Sequence, residues 1–83
     1  MTKPLLLEIK SVLSYLLNTD NISLRRKGLE FAMELLTEIG MDFTKAESAL
    51  KAEIKGDRKE ADKWIERILL DIDKEEYSEG SEE

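Results

Sequence analysis

The sequence predicts an all-α fold, a compact antiparallel bundle of four helices in which the third is short. Three observations carry that expectation. Apolar residues recur at three- and four-residue intervals along four separate stretches of the 83-residue chain, the spacing of one helix face. Helix stop and start signals fall between those stretches, with Gly40 and Gly56 at two of the ends. The connections left over are two to four residues long, which brings successive helices back antiparallel.

In the first stretch Leu5, Ile9, Val12, Leu13 and Leu16 share a face, Thr2 is placed to cap the start, and Pro4 is tolerated in the first turn. The polar run Asn18, Thr19, Asp20, Asn21 ends it. A second helix is expected from about Ser23 to Ile39 on a stripe of Leu29, Ala32, Met33 and Leu36. Gly40 stands where a left-handed glycine terminates a helix, and Met41 is placed to fold back on Leu36.

Thr44 and Glu47 form the sequence pattern of a capping box for the third helix, whose inner face would be Ala46, Ala49, Leu50 and Ile54. Asp57 and Glu60 repeat that pattern before the fourth, where Ala61, Trp64, Ile65, Ile68, Leu69 and Ile72 make the cleanest amphipathic stripe of the chain. The expected core is Leu5, Ile9, Val12, Leu13, Leu16, Leu29, Met33, Leu36, Leu50, Trp64, Ile65, Ile68 and Ile72. Residues 1–74 would form the bundle. Residues 75–83, with Tyr77 as their one large apolar group, would form an acidic tail that stays disordered unless a partner orders it.

Composition removes most chemistry. With no cysteine and no histidine, neither disulfides and thiolate metal sites nor the usual nucleophile–base pairs can be built. Asp71 and Asp73 tempt as a carboxylate pair, but two residues apart on a helix they point roughly 200 degrees away from one another. No glycine-rich phosphate loop or calcium loop is present. We therefore expect no enzyme, no cofactor and no metal; an activity would have to be built from carboxylates, lysines and Tyr15 or Tyr77.

Residues 71–83 hold seven acids against Lys74, which accounts for the whole net charge of −6 and leaves residues 1–70 neutral. A neutral body gives little electrostatic drive toward nucleic acid, so direct binding there should be weak or absent. A helix-turn-helix around Gly56 is disfavoured too: Ala52 and Gly56 have its small-residue spacing, but Lys51 and Asp62 stand at positions it buries, and Glu60, Asp62 and Glu66 would face phosphates. The N-terminus meets a charge too early for a signal peptide, and no apolar run approaches the roughly 20 residues of a membrane span, so a cytoplasmic protein is expected. Glutamine is missing, asparagine occurs only twice, and 39% of residues are charged, a composition that points to a thermophilic source.

Binding is the function class that remains. Leu24, Phe31 and Leu35, with Gly28 between them, line a second apolar face of the second helix, away from Leu29 and Leu36. The ordinary reading is a helix placed in the middle of the bundle; the functional reading is a partner surface. Leu7 and Leu70 also fall opposite their own helices' main stripes and would join that surface if contiguous with it. Arg25, Arg26 and Lys27 crowd the first turn of the second helix, where the macrodipole disfavours positive charge. Solvated surface charge accounts for such a cluster, and an anionic partner, phosphate or carboxylate, is the alternative.

A small, acidic, helical chain of thermophile-like composition ending in Glu-Glu-Tyr-Ser-Glu-Gly-Ser-Glu-Glu resembles small accessory subunits of archaeal DNA polymerase holoenzymes, on size, charge and class. The resemblance implies a non-catalytic subunit that docks a larger protein of the DNA replication machinery. The alternative expectation is a homodimeric helical regulator or nucleic-acid adaptor joined through the same stripe.

Overall fold

The computed structural model describes the backbone of residues 2–81 and the side chains of residues 4–75. Four helices follow one another, α1 (Thr2–Leu17), α2 (Ile22–Glu38), α3 (Thr44–Lys55) and α4 (Arg58–Ser81). Packing is cyclic: α1 lies on α2, α2 on α3, α3 on α4 and α4 on α1, and among the described residues no diagonal pair comes within 8 Å at the Cα atoms. Helix α4 is assigned as far as Ser81. The expectation of a flexible acidic tail concerns 75–83, and of that segment the side chains beyond Glu75 and residues 82 and 83 lie outside the described residues, as does the side chain of the expected cap Thr2.

The two glycine stops form as the sequence predicts. Gly40 and Gly56 take φ of 78° and 83°, a conformation that costs a residue with a Cβ but not glycine. Each lets the next residue turn back onto its helix: the amide of Met41 donates to the Leu36 carbonyl at 2.9 Å, and that of Asp57 to the Ala52 carbonyl at 2.9 Å. Both are the longer bond of a Schellman closure.

The starts are more varied. Asn21 caps α2 by accepting from the Leu24 amide at 3.1 Å. Asp57 caps α4 by accepting from the Glu60 amide at 3.1 Å, but Glu60 does not reach back to complete a capping box, because its carboxylate accepts the Trp64 indole N–H at 3.0 Å instead. Asp57→Ala should therefore cost about 1 kcal/mol, to be measured as a lowered denaturant midpoint with an unchanged slope.

The capping box expected at Thr44 and Glu47 does not form either. Phe43 occupies the cap position of α3 without a side-chain bond, and Thr44 has moved into the helix. Asp42 takes over, its Oδ1 accepting from both the Thr44 amide at 2.9 Å and the Thr44 hydroxyl at 2.5 Å. A carboxylate that reaches two donors at once is the stronger acceptor. Those two bonds, the hydroxyl's first, hold the Asp42 carboxyl below its ordinary value, with Lys45 adding a smaller pull. Since the folded-state value is depressed, the stabilisation is present above the unfolded value and is lost as pH falls through the folded one. An NMR titration of the Asp42 carboxyl carbon should give a midpoint below the ordinary aspartate value of 3.8, and Thr44→Val should move it back toward that value.

The core runs from Leu6, Ile9, Leu13 and Leu16 on α1 through Leu29, Ala32, Leu35 and Leu36 on α2 to Ile65, Ile68 and Ile72 on α4. On α3 the buried apolar groups are only Ala46, Ala49 and Ala52, small side chains that let the neighbouring backbones lie close. Five expected core residues, Leu5, Val12, Met33, Leu50 and Trp64, sit at its edge, half-buried. Leu6 takes the central place beside Ile9 and Leu13, and Ile54, expected inside, is 57% exposed.

Candidate partner-binding surface

The basic cluster at the start of α2 is the first place where the structure corrects the sequence reading. Arg25 is 1% exposed, so it is not a surface residue and cannot meet a partner. Its Nε donates to Glu53 Oε1 on α3 at 2.9 Å, its Nη2 to Asp62 Oδ1 on α4 at 2.7 Å and its Nη1 to the Leu16 carbonyl at the end of α1 at 2.5 Å. Carried on α2, this one guanidinium touches all four helices. Its position in a first turn, poor for the macrodipole, is offset by two carboxylates and by a helix C-terminal carbonyl.

Arg58 extends the network. It donates to Asp62 and to Asp20 and caps the Leu17 carbonyl at 3.1 Å, and the Asp20 bond is the main reason its guanidinium holds its proton more tightly than usual. The α1–α2 loop is thereby tied to the α3–α4 turn. At the opposite end Lys45 pairs with Asp71 at 2.6 Å and Lys10 with Asp73 at 3.1 Å, so the two aspartates weighed as a metal pair each serve a different helix contact.

Leu35 is the second correction. It is 6% exposed and belongs to the core, because it lies about 20 degrees around the helix from Leu24 and about 40 from Phe31, on the side of the core stripe. Leu24 and Phe31 stay about two-fifths exposed, at 41% and 40%. With Val12, Tyr15, Leu16 and Gly28 they line a groove of about 460 Å³ between α1 and α2, and Lys27 stands on its rim. Gly28 lets α1 and α2 approach closely, since a Cβ there would lie 2.6 Å from Leu16 Cδ2, and Leu16 forms part of the groove lining.

Leu7 and Leu70 are exposed at 53% and 59% but neither lines this groove. Arg26 and Lys27 remain exposed. A second, smaller groove of about 280 Å³ lies on the other side of α2, between Met33, Phe43 and Leu50, with Glu30 and Glu34 on its rim. The outer ridge of α2 therefore separates two apolar depressions. Tyr15 and Phe43 are the groove residues sequence reasoning missed; Tyr15 is an aromatic off the main stripe of α1 and Phe43 an aromatic just before α3, which are the signals that could have found them.

Among the described residues no group of three acidic side chains is placed to hold a metal ion, and no helix is long and apolar enough to cross a membrane. No protein-family model, curated protein or solved structure matches this chain.

Proposed function

We propose that this protein is a non-catalytic accessory subunit that docks a larger protein through the α1–α2 groove. The observation that supports the reading is the pairing of Leu24 and Phe31, both about two-fifths exposed, around an apolar depression. Aromatic side chains seated in apolar pockets are where interfaces concentrate their binding energy. The resemblance to polymerase accessory subunits makes a replication assembly the first place to look for the partner.

Affinity purification of the tagged protein from its native cells, with nuclease added, tests this. Wild type should retain a stoichiometric larger protein. Phe31→Asp, which puts a charge into the groove without touching the core, should lose it by tenfold or more, and Ile54→Asp, on the exposed side of α3, should keep it. Equal recovery by all three would reject the groove as the docking site.

A further inference from the structure

Along the outer ridge of α2 the charges are sorted. Arg26 and Lys27 occupy the N-terminal half, and Glu30, Glu34 and Glu38 the C-terminal half. None of these five ridge residues forms an ion pair among the described residues, as is also true of Lys51, Lys55, Lys59 and Lys63 on the other helices. Lys27 and Glu34 are seven residues apart, which puts them on one helix face about 10 Å apart along the axis. Lys27 rims the first groove and Glu34 the second, so both stand on the crest between them.

A ridge with a positive half and a negative half complements its own reverse. We propose that the α2 ridge is the contact of a two-fold homodimer, in which α2 of one copy lies antiparallel on α2 of a second. Placing the two-fold axis midway between Lys27 and Glu34 sets Lys27 of each copy opposite Glu34 of the other. A two-fold contact repeats every interaction, so both charge pairs form at once. The same axis passes between the levels of Glu30 and Phe31, and because an in-plane two-fold keeps like sides together, the two Phe31 rings meet on one side of it, each closing the other copy's α1–α2 groove. The two Glu30 carboxylates face each other on the other side, a repulsion that the two Lys27–Glu34 pairs must outweigh. Turned parallel, the ridges would instead set basic half against basic half and acidic half against acidic half.

This inference rests on the groove being an interaction surface and names its occupant in the free protein: a second copy. A larger partner that binds the face more tightly displaces that copy by mass action.

The test is analytical ultracentrifugation of the full chain at low salt and tens of micromolar, with circular dichroism as the check on folding. Wild type should sediment as a dimer. Lys27→Glu and Glu34→Lys should each weaken self-association by at least about tenfold, since each replaces two attractive contacts with two repulsive ones. An equimolar mixture of the two variants should regain the dimer, because their altered charges match only across the two chains. A monomeric wild type, dimers indifferent to either substitution, or a mixture that stays monomeric would each overturn the proposal. A monomeric wild type whose larger partner is still lost on Phe31→Asp would overturn the dimer and leave the docking function standing.

Discussion

Arg25→Ala should lower the stability of this domain by about 3–5 kcal/mol, the cost of stripping one partner from a buried ion pair. The substitution leaves Glu53, itself 6% exposed, as a buried carboxylate without its partner, and it frees the Leu16 carbonyl from its 2.5 Å bond. Whole-domain stabilities are on the order of 5–15 kcal/mol, and a chain of this length stands near the low end, so the variant should be partly unfolded at ambient temperature. Chemical denaturation reads the effect directly. Arg25→Lys should recover little of it, because a single ammonium group cannot reach three acceptors in three directions as the planar guanidinium does. Replacing Arg25, Glu53 and Asp62 together by apolar residues of similar volume should recover most of it. A loss for Arg25→Ala below about 0.5 kcal/mol, the range of ordinary surface substitutions, would show that the network does not hold the four helices together.

The second large effect is expected at Gly28, and its sign opposes helix propensity. In an exposed helix interior, replacing glycine should stabilise by about 0.5–1 kcal/mol. Here a Cβ would approach Leu16 Cδ2 to 2.6 Å and Cδ1 to 2.8 Å, with Cγ at 3.1 Å, and Leu16 is 2% exposed, so the side chain must shift within a packed core. Gly28→Val, which adds two further carbons, should cost about 1–3 kcal/mol through overpacking. It should also push α1 from α2 and disturb the groove, so partner recovery should fall along with stability. Shortening the clashing side chain separates the two causes: Gly28→Val combined with Leu16→Ala should be less destabilising than the sum of the single changes, a coupling readable in a double-mutant cycle. Additive losses would mean that the close approach of α1 and α2 is not what position 28 requires.

Much of this architecture was legible in the sequence. The four periodic stretches, the two glycine stops and the Asp57 cap depend on local spacing and backbone conformation, and each is found where it was expected. What local spacing cannot supply is competition between neighbours. Thr44 and Glu47 match a capping box, but Asp42 two residues earlier offers a carboxylate to the same amide and takes it. Glu60 likewise is drawn away by the Trp64 indole.

Arg25 shows a different gap. At four, seven and eleven residues before Leu29, Ala32 and Leu36 it sits squarely on the core stripe, and Glu53, seven residues past Ala46 and four past Ala49, sits on that of α3. Two opposite charges on facing apolar stripes are a readable sign of a buried pair. Reading Arg25 with its sequence neighbours Arg26 and Lys27, as one basic cluster, hid it. Leu35 was misplaced for the converse reason, because only about 20 to 40 degrees separate it from Leu24 and Phe31, too little for spacing alone to tell a buried position from a groove position.

Site-specific photo-crosslinking in native cells is the sharpest test of the proposal that another protein is held in the α1–α2 groove. A photoreactive residue placed at position 24, on the groove, should crosslink to the partner that co-purifies with wild type, and one at position 15 should do the same. The same residue at position 54 or 70, both exposed and outside the groove, should give no such product. Crosslinks from 54 or 70 to that partner, with none from 15 and 24, would contradict the account and move the interface to α3 and α4.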